Sequence, residues 1–244
     1  MEKLGTLRIL RRYPFKSMAG EDLAEIFVTF AGLTGDRAYA FVDKNNRSNF
    51  PWMTARQAHE MILSRPRYLE SCLVSEEHPP RNHFRAEVVT PEGQTMSVDD
   101  PDFVSFFERR FGRQLELRFS ERAMQDACPV SLLGAATIDS LSQETEMTLD
   151  HRRFRANFYI AWDNRKPYFE DELVGERLQI GEKLSLMIVK KDSRCVIITL
   201  DPSSGEASPQ VFETVTRNHG RCFGVYASVI HEGVVRTGDP VFAA

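Results

Sequence analysis

The sequence predicts a strand-rich α+β protein, barrel-like, with a few helices packed on the outside. Three observations carry this reading. Short runs rich in Val, Ile, Phe and Tyr recur along both halves of the 244 residues, separated by clusters of Gly, Asp, Asn or Pro. Four stretches instead repeat apolar residues at helical spacing. No internal repeat and no low-complexity segment interrupts the pattern.

In the first half, GTLRIL (5–10), EIFVTF (25–30), AYAFVD (38–43), FRAEVVT (84–90), TMSVDD (95–100) and QLELRF (114–119) read as strands. TARQAHEMIL, opening at Thr54, reads as a helix. So does DDPDFVSFFERRFG, where an Asp pair precedes Pro101 and Gly112 can close the last turn. Its Phe103, Phe106, Phe107 and Phe111 recur at the spacing of a core-facing stripe. After Pro129, SLLGAATIDSLSQE reads as a helix with Ile138 and Leu141 inward, and the polar break TEMTLDHR (145–152) marks a seam between halves. FYIAW (158–162), LQIG (178–181), LSLMIVKK (184–191), CVIITL (195–200) and FGVYASVI (223–230) follow as strands. SPQVFETVTRNHG is a helix capped by Ser208, with Pro209 in its first turn and Gly220 at its end.

Composition removes several function classes. Hydrophobic residues at 42% and charged residues at 27% describe a folded globular chain rather than a disordered one. A formal net charge of -4 argues against general nucleic-acid binding. No apolar run reaches the ~18 residues that span a bilayer, and MEKLGTLRILRRYPF lacks the apolar core of a signal peptide, so a cytoplasmic protein without membrane attachment is expected. Cys72, Cys128, Cys195 and Cys222 are dispersed with no C-x-x-C pair, and reduced thiols are expected. His59-Glu60 and His231-Glu232 lack the second His of a zinc-binding helix, and no G-x-G-x-x-G, Walker A loop or G-x-S-x-G elbow is present.

Chemistry concentrates at four loop-to-strand junctions. In DSRCVIITLDPSSG (192–205), Cys195 follows Ser193 and Arg194, just past Lys190 and Lys191. Nearby cations favour the thiolate, a better nucleophile and metal ligand, although a lone cysteine beside VIITL also suits a small buried core residue. YPFKSMAGE (13–21) offers Lys16 and Ser17 between Pro14 and Gly20. GLTGDRAYAFVD (32–43) sets Asp36 and Arg37 at the exit of a glycine-flanked turn, and HRRFRANFYI (151–160) gathers His151, Arg152, Arg153 and Arg155 ahead of Asn157. Singly, each cation reads as a solvated charge or an ion pair. Together, in an acidic protein, they suit an anionic ligand.

These stretches resemble the MOSC family, the domain shared by molybdenum cofactor sulfurases and by the amidoxime-reducing components with their bacterial relatives. YPFKS, GLTGDRAYAFVD, MTARQ, FRAN, FED, SRCVIITLDPSSG and GDPVF occur in the family's order and rough spacing along nearly the whole chain. The resemblance implies an N-terminal MOSC β-barrel-like domain over 1–119 and a MOSC β-barrel domain with peripheral helices over 120–244. It also implies a mononuclear molybdenum held by one pterin dithiolene and one protein thiolate, and Cys195 matches that ligand. A soft thiolate suits a metal already bound by sulfur. Lys16, Ser17, Arg37, Arg155, Asn157, Ser193 and Arg194 match positions that hold the pterin and its phosphate, with Thr54, Arg56, Gln57 and Thr137 as further candidates.

Two departures stand out: Ala156 lies where relatives carry proline, and Asp192 where they often carry a second cysteine. The implied function is a molybdenum-cofactor oxidoreductase that reduces N-hydroxylated or other N-oxygenated small molecules. Its electrons would come from a separate protein, a ferredoxin, a cytochrome b5-like protein or a flavin reductase, because no ferredoxin-like domain follows GDPVFAA. No general acid is assigned by the matched positions, with Asp126 and Asp36 as possibilities. The alternative is a sulfur carrier with a persulfide on Cys195, or a cofactor-delivery module that works beside a separate pyridoxal phosphate-dependent desulfurase.

Overall fold

A computed structural model of the chain describes residues 1–70 and 79–244, so Cys72 lies outside the described residues. The first half contributes β1 (Lys3–Arg12), β2 (Glu21–Leu23), β3 (Glu25–Thr29), β4 (Gly32–Leu33), β5 (Tyr39–Asp43), β6 (Arg65–Tyr68), β7 (Ala86–Val89), β8 (Thr95–Ser97), α1 (Phe103–Phe111) and β9 (Leu115–Phe119). The second half contributes β10 (Val130–Gly134), α2 (Ala135–Thr145), β11 (Phe158–Trp162), β12 (Arg177–Ile180), β13 (Leu184–Ser193), α3 (Pro209–Asn218), β14 (Cys222–His231), β15 (Gly233–Arg236) and β16 (Pro240–Ala243).

Seven strands close a barrel in the order β1-β11-β10-β14-β13-β12-β16, with β16 returning to β1 and β2 hanging on the rim. Neighbours are antiparallel except β10 and β11, which run parallel because α2 carries the chain between them. Alternation along β1 sends Leu4, Leu7 and Leu10 into the barrel interior, where they meet Leu132, Ile160, Leu186 and Val225. The first strand of the chain therefore completes the barrel of the second half.

The rest of the first half builds a separate core. β5 pairs with β9, β6 to β8 form a meander, and α1 lays Phe103 and Phe107, both fully buried, against Phe15 and Phe41. Gly112 ends α1 in the left-handed region at φ 61, as the sequence suggests. A third cluster, with Ile138, Leu141, Phe154, Val211 and Phe223, packs α2 and α3 on the outside of the barrel.

Four local expectations are corrected. Residues 54–63 form turns and a 3₁₀ helix over His59–Leu63 rather than an α-helix. The Gln57 side chain accepts from both the Thr54 backbone N–H at 3.0 Å and the Thr54 hydroxyl at 2.6 Å, closing a turn that competes with helix. SLLG belongs to β10, and α2 begins only after Gly134, since a short apolar run buried on both faces fits strand and helix alike. CVIITL is no strand: Val196–Thr199 make a 3₁₀ turn whose first residue is exposed. The Ser208 side chain, at the N-cap of α3, makes no capping bond, whereas Pro209 starts the helix and Gly220, at φ 58 directly after the C-cap His219, ends it as expected.

Candidate functional site

Where the open end of the barrel meets the first half, a cavity of about 350 Å³ opens. Its wall takes Lys16 and Ser17 from the β1–β2 connection, Arg37 from the turn before β5, and Thr54 and Arg56 from the following loop. Residues 125–128 lead into β10, which carries Ser131, Arg155 and Asn157 precede β11, and residues 190–195 run through and just past the end of β13 beside Tyr226 of β14. The β13–β14 ladder shifts register between Ile188 and Lys190 and again between Lys191 and Ser193. Bulges of this kind re-aim side chains, and here they fall on the cavity-lining end of the strand.

The lining is cationic. Lys16, Arg37, Arg56, Arg155, Lys190, Lys191 and Arg194 face only Asp126 and Asp192, in a protein whose formal net charge is -4. Lys16 is buried, and its Nζ donates to the Met124 carbonyl at 2.7 Å and pairs with Asp126. Burial pulls the Lys16 pKa down, aided by Arg37 and Arg155 and resisted by Asp126. Arg56 and Lys190 are exposed at the rim, and among the described residues neither has a carboxylate partner.

Tyr13 organises the two deepest cations. Two guanidinium groups lie over its ring, Arg37 at 4.5 Å and Arg155 at 4.4 Å from the centroid, close enough for each cation to meet the negative face of the π system. Arg37 also pairs with Asp36, whose carboxylate in turn accepts the Tyr13 N–H at 2.8 Å. Burial opposes the Arg37 charge, but Asp36 and Tyr13 raise its pKa. Arg155 has no such carboxylate, and burial lowers it to about 10, still protonated at neutral pH. Ser17, Arg37 and Arg155 all sit at positive φ, 65, 47 and 53. Each such residue costs on the order of 1–3 kcal/mol, and strain of this sort collects at ligand sites.

Cys195 is half-buried on the cavity wall and caps the 3₁₀ turn that follows it. Its backbone is fixed from behind by Arg194. That guanidinium donates to the Phe223 carbonyl at 2.7 Å and the Phe154 carbonyl at 2.6 Å, and lies 2.9 Å from the Asp192 carboxylate. Arg221 closes the clamp, exchanging bonds of 2.9 Å with the Arg194 backbone. Gly224 permits this packing: its φ is 78, and a Cβ there would lie 2.7 Å from the Leu132 carbonyl and 3.3 Å from Arg194 Nη2.

The cavity brings together Lys16, Ser17, Arg37, Thr54, Arg56, Arg155, Asn157, Ser193, Arg194 and Cys195. Thr137 is outside it. The Thr137 hydroxyl accepts from the Tyr168 N–H at 2.9 Å and serves the fully buried Glu170, which also takes the Gly134 N–H at 2.9 Å at the start of α2. Gln57 only closes its own turn on Thr54. Sequence reasoning missed Phe50, Cys128, Ser131 and Tyr226 as lining residues. Strand alternation along FGVYASVI, with Val225 inward, was the one signal that could have turned Tyr226 outward to the cavity. Among the described residues no three His, Cys, Asp or Glu side chains group as a metal site, and no helix is long and apolar enough to cross a membrane.

The chain is 24% identical over 291 aligned positions to mitochondrial amidoxime-reducing component 1 of Mus musculus, covering 99% of this chain and 83% of that one. It is 23% identical to the human mitochondrial amidoxime reducing component 2, covering 99% and 84%. Molybdenum cofactor sulfurase 2 of Culex quinquefasciatus is 24% identical over 96% of this chain, which spans only 36% of that protein. Among solved structures, the YUAD protein of Bacillus subtilis shares the fold, with a TM-score of 0.52 at 12% identity over 97% of this chain and 93% of that one. The MOSC N-terminal beta barrel domain matches residues 4–106 and the MOSC domain residues 119–242, and the chain belongs to the MOSC family.

Proposed function

We propose that the chain is a molybdenum-cofactor oxidoreductase that removes the oxygen of N-hydroxylated and related N-oxygenated small molecules. The observation that carries the reading is a half-exposed thiol, Cys195, on the wall of a cavity lined by seven cations. A pterin dithiolene with its phosphate is anionic and sulfur-rich, and this donor set fits it: one soft thiolate for the metal and guanidinium and ammonium groups for the phosphate. When bound, the group would supply two-electron oxygen-atom chemistry.

The chain's own residues divide the remaining work. Cys195 anchors, with its position set by the Arg194 clamp. Lys16, Arg37 and Arg155 place positive charge deep in the cleft, where burial strengthens each interaction with an anion. Arg56 and Lys190, at the rim without a carboxylate partner among the described residues, meet charge that reaches solvent. Electrons come from a separate electron-transfer protein. Activity is tested with the molybdenum-loaded protein, an artificial electron donor and benzamidoxime. Formation of the amidine supports the reading. Loaded protein that leaves the amidoxime untouched, yet carries cyanide-releasable sulfur on Cys195, moves the assignment to the sulfur-carrier class.

A further inference from the structure

A second concavity, of about 270 Å³, lies beside the cleft and shares Arg56 and Ile197 with its wall. Its chemistry is the opposite. The buried Ala55 and Leu200, with Ile197, form the floor, and the more open Val196, Pro209 and Phe212 form the sides. Among the described residues only Arg56, His59 and Glu213 bring titratable groups to it, against the seven cations of the cleft.

Local structure explains why apolar side chains stand open here. The 3₁₀ turn Val196–Thr199 starts on Cys195, and the Thr199 hydroxyl donates to the Val196 carbonyl at 2.7 Å. The turn sends Ile198 into the core and leaves Val196 49% exposed, one residue from the thiol. On α3, Pro209, Phe212 and Glu213 share one face by their i, i+3, i+4 spacing, while Val211, Thr214 and Val215 are buried on the other. A single exposed valine is ordinary. One that joins Ile197, Pro209 and Phe212 in a concave apolar surface beside the cleft has the character of a small-molecule site.

The two concavities suit two different ligands. Guanidinium and ammonium groups match an anionic cofactor, but an amidoxime is uncharged at neutral pH and gains little from a cationic wall. Its organic group needs apolar surface close to Cys195, and the groove begins at the next residue. A cavity of about 150 Å³ lined by Leu, Ile and Phe holds a benzene ring, so the groove has room for a substituted aryl group.

We propose that this groove seats the organic group of the substrate and selects N-oxygenated compounds that carry an aromatic or branched apolar group, with Val196 and Phe212 as the specificity-determining contacts. The reacting end then enters the cleft across the shared Arg56 and Ile197 edge.

This inference rests on the amidoxime-reducing reading, and the test separates the two. Molybdenum-loaded wild type and variants are compared on benzamidoxime and acetamidoxime, which differ only in the group offered to the groove. The benzamidoxime-to-acetamidoxime ratio of kcat/KM should fall roughly 10-fold in Val196→Ser and in Phe212→Ala, the lower end of what a methylene is worth in an apolar pocket. The loss should lie in KM for benzamidoxime rather than in kcat, and Val196→Leu should recover most of what Val196→Ser loses. Independently of turnover, 4-fluorobenzamidoxime should show fluorine line broadening with the protein as isolated and no electron donor present, and both variants should weaken it. A ratio unchanged in both variants, or broadening that neither reduces, overturns the proposal. If Phe212→Ala does not fold, the exposed Val196 decides it. Wild type that binds the fluorinated probe at Val196 but reduces neither amidoxime overturns the enzymatic reading and leaves the apolar site standing.

Discussion

The Arg194 guanidinium, on the cavity wall, donates to two backbone carbonyls, so its first role is to hold the loop that presents Cys195. The proposed function makes Arg194 a pterin contact, and its 7% exposure and its bonds to two backbone carbonyls give it a positioning role as well. Removing it strands the buried Asp192 charge. Arg194→Met should therefore destabilise the fold by about 3–5 kcal/mol, read as a lower urea midpoint at unchanged slope, far more than loss of an exposed cation. Wild-type stability in that variant would return Arg194 to a purely ligand-binding role. At this scale the sequence was most legible where a residue type is chemically unusual. Cys195, Lys16 and Arg37 stood out among loop residues, and all three line the cavity. Thr137 misled because a hydroxyl that serves a buried carboxylate looks the same in sequence as one that serves a ligand, and Glu170 lies 33 residues beyond it.

Elements set these residues in register. Asp150 begins the 3₁₀ turn His151–Phe154 that leads to Arg155: its carboxylate accepts the Arg152 N–H at 2.8 Å and the Arg152 guanidinium at 2.6 Å. Burial pushes the Asp150 carboxyl up, but Arg152 and His151 hold it below its ordinary value. A depressed folded-state pKa contributes stability above the unfolded value of about 3.9, and this is lost as pH falls through the folded value. Asp150→Ala should thus cost about 1 kcal/mol at pH 7, the usual worth of such a cap, and progressively less as pH falls below 4. Parallel denaturation curves at both pH values check this, and a cost that persists in acid contradicts it. Strands with clear alternation, such as LSLMIVKK, were legible. CVIITL was not, because β-branched residues favour strands while Thr199 returns its hydroxyl to the Val196 carbonyl at 2.7 Å and tightens a turn.

The whole molecule joins two halves through one strand and one cleft. β1 leaves the barrel through the buried Arg11 and Arg12 and delivers Tyr13, Lys16 and Ser17 to the junction, so closure of the barrel and assembly of the cleft are the same event. Composition could reveal an acidic, strand-rich chain, but no periodicity shows that residues near 16, 37, 155 and 195 converge, because their contacts are long-range in sequence. The ordered motifs supplied that link. One determination bears on the central claim most directly: molybdenum and pterin per chain, in protein made by a host that synthesises the cofactor, for wild type and Cys195→Ser. The account predicts stoichiometric metal and pterin in the wild type, with metal lost from a Cys195→Ser protein that still folds. A wild type without molybdenum, or a variant that retains it in full, would contradict the assignment of Cys195 as the anchoring thiolate.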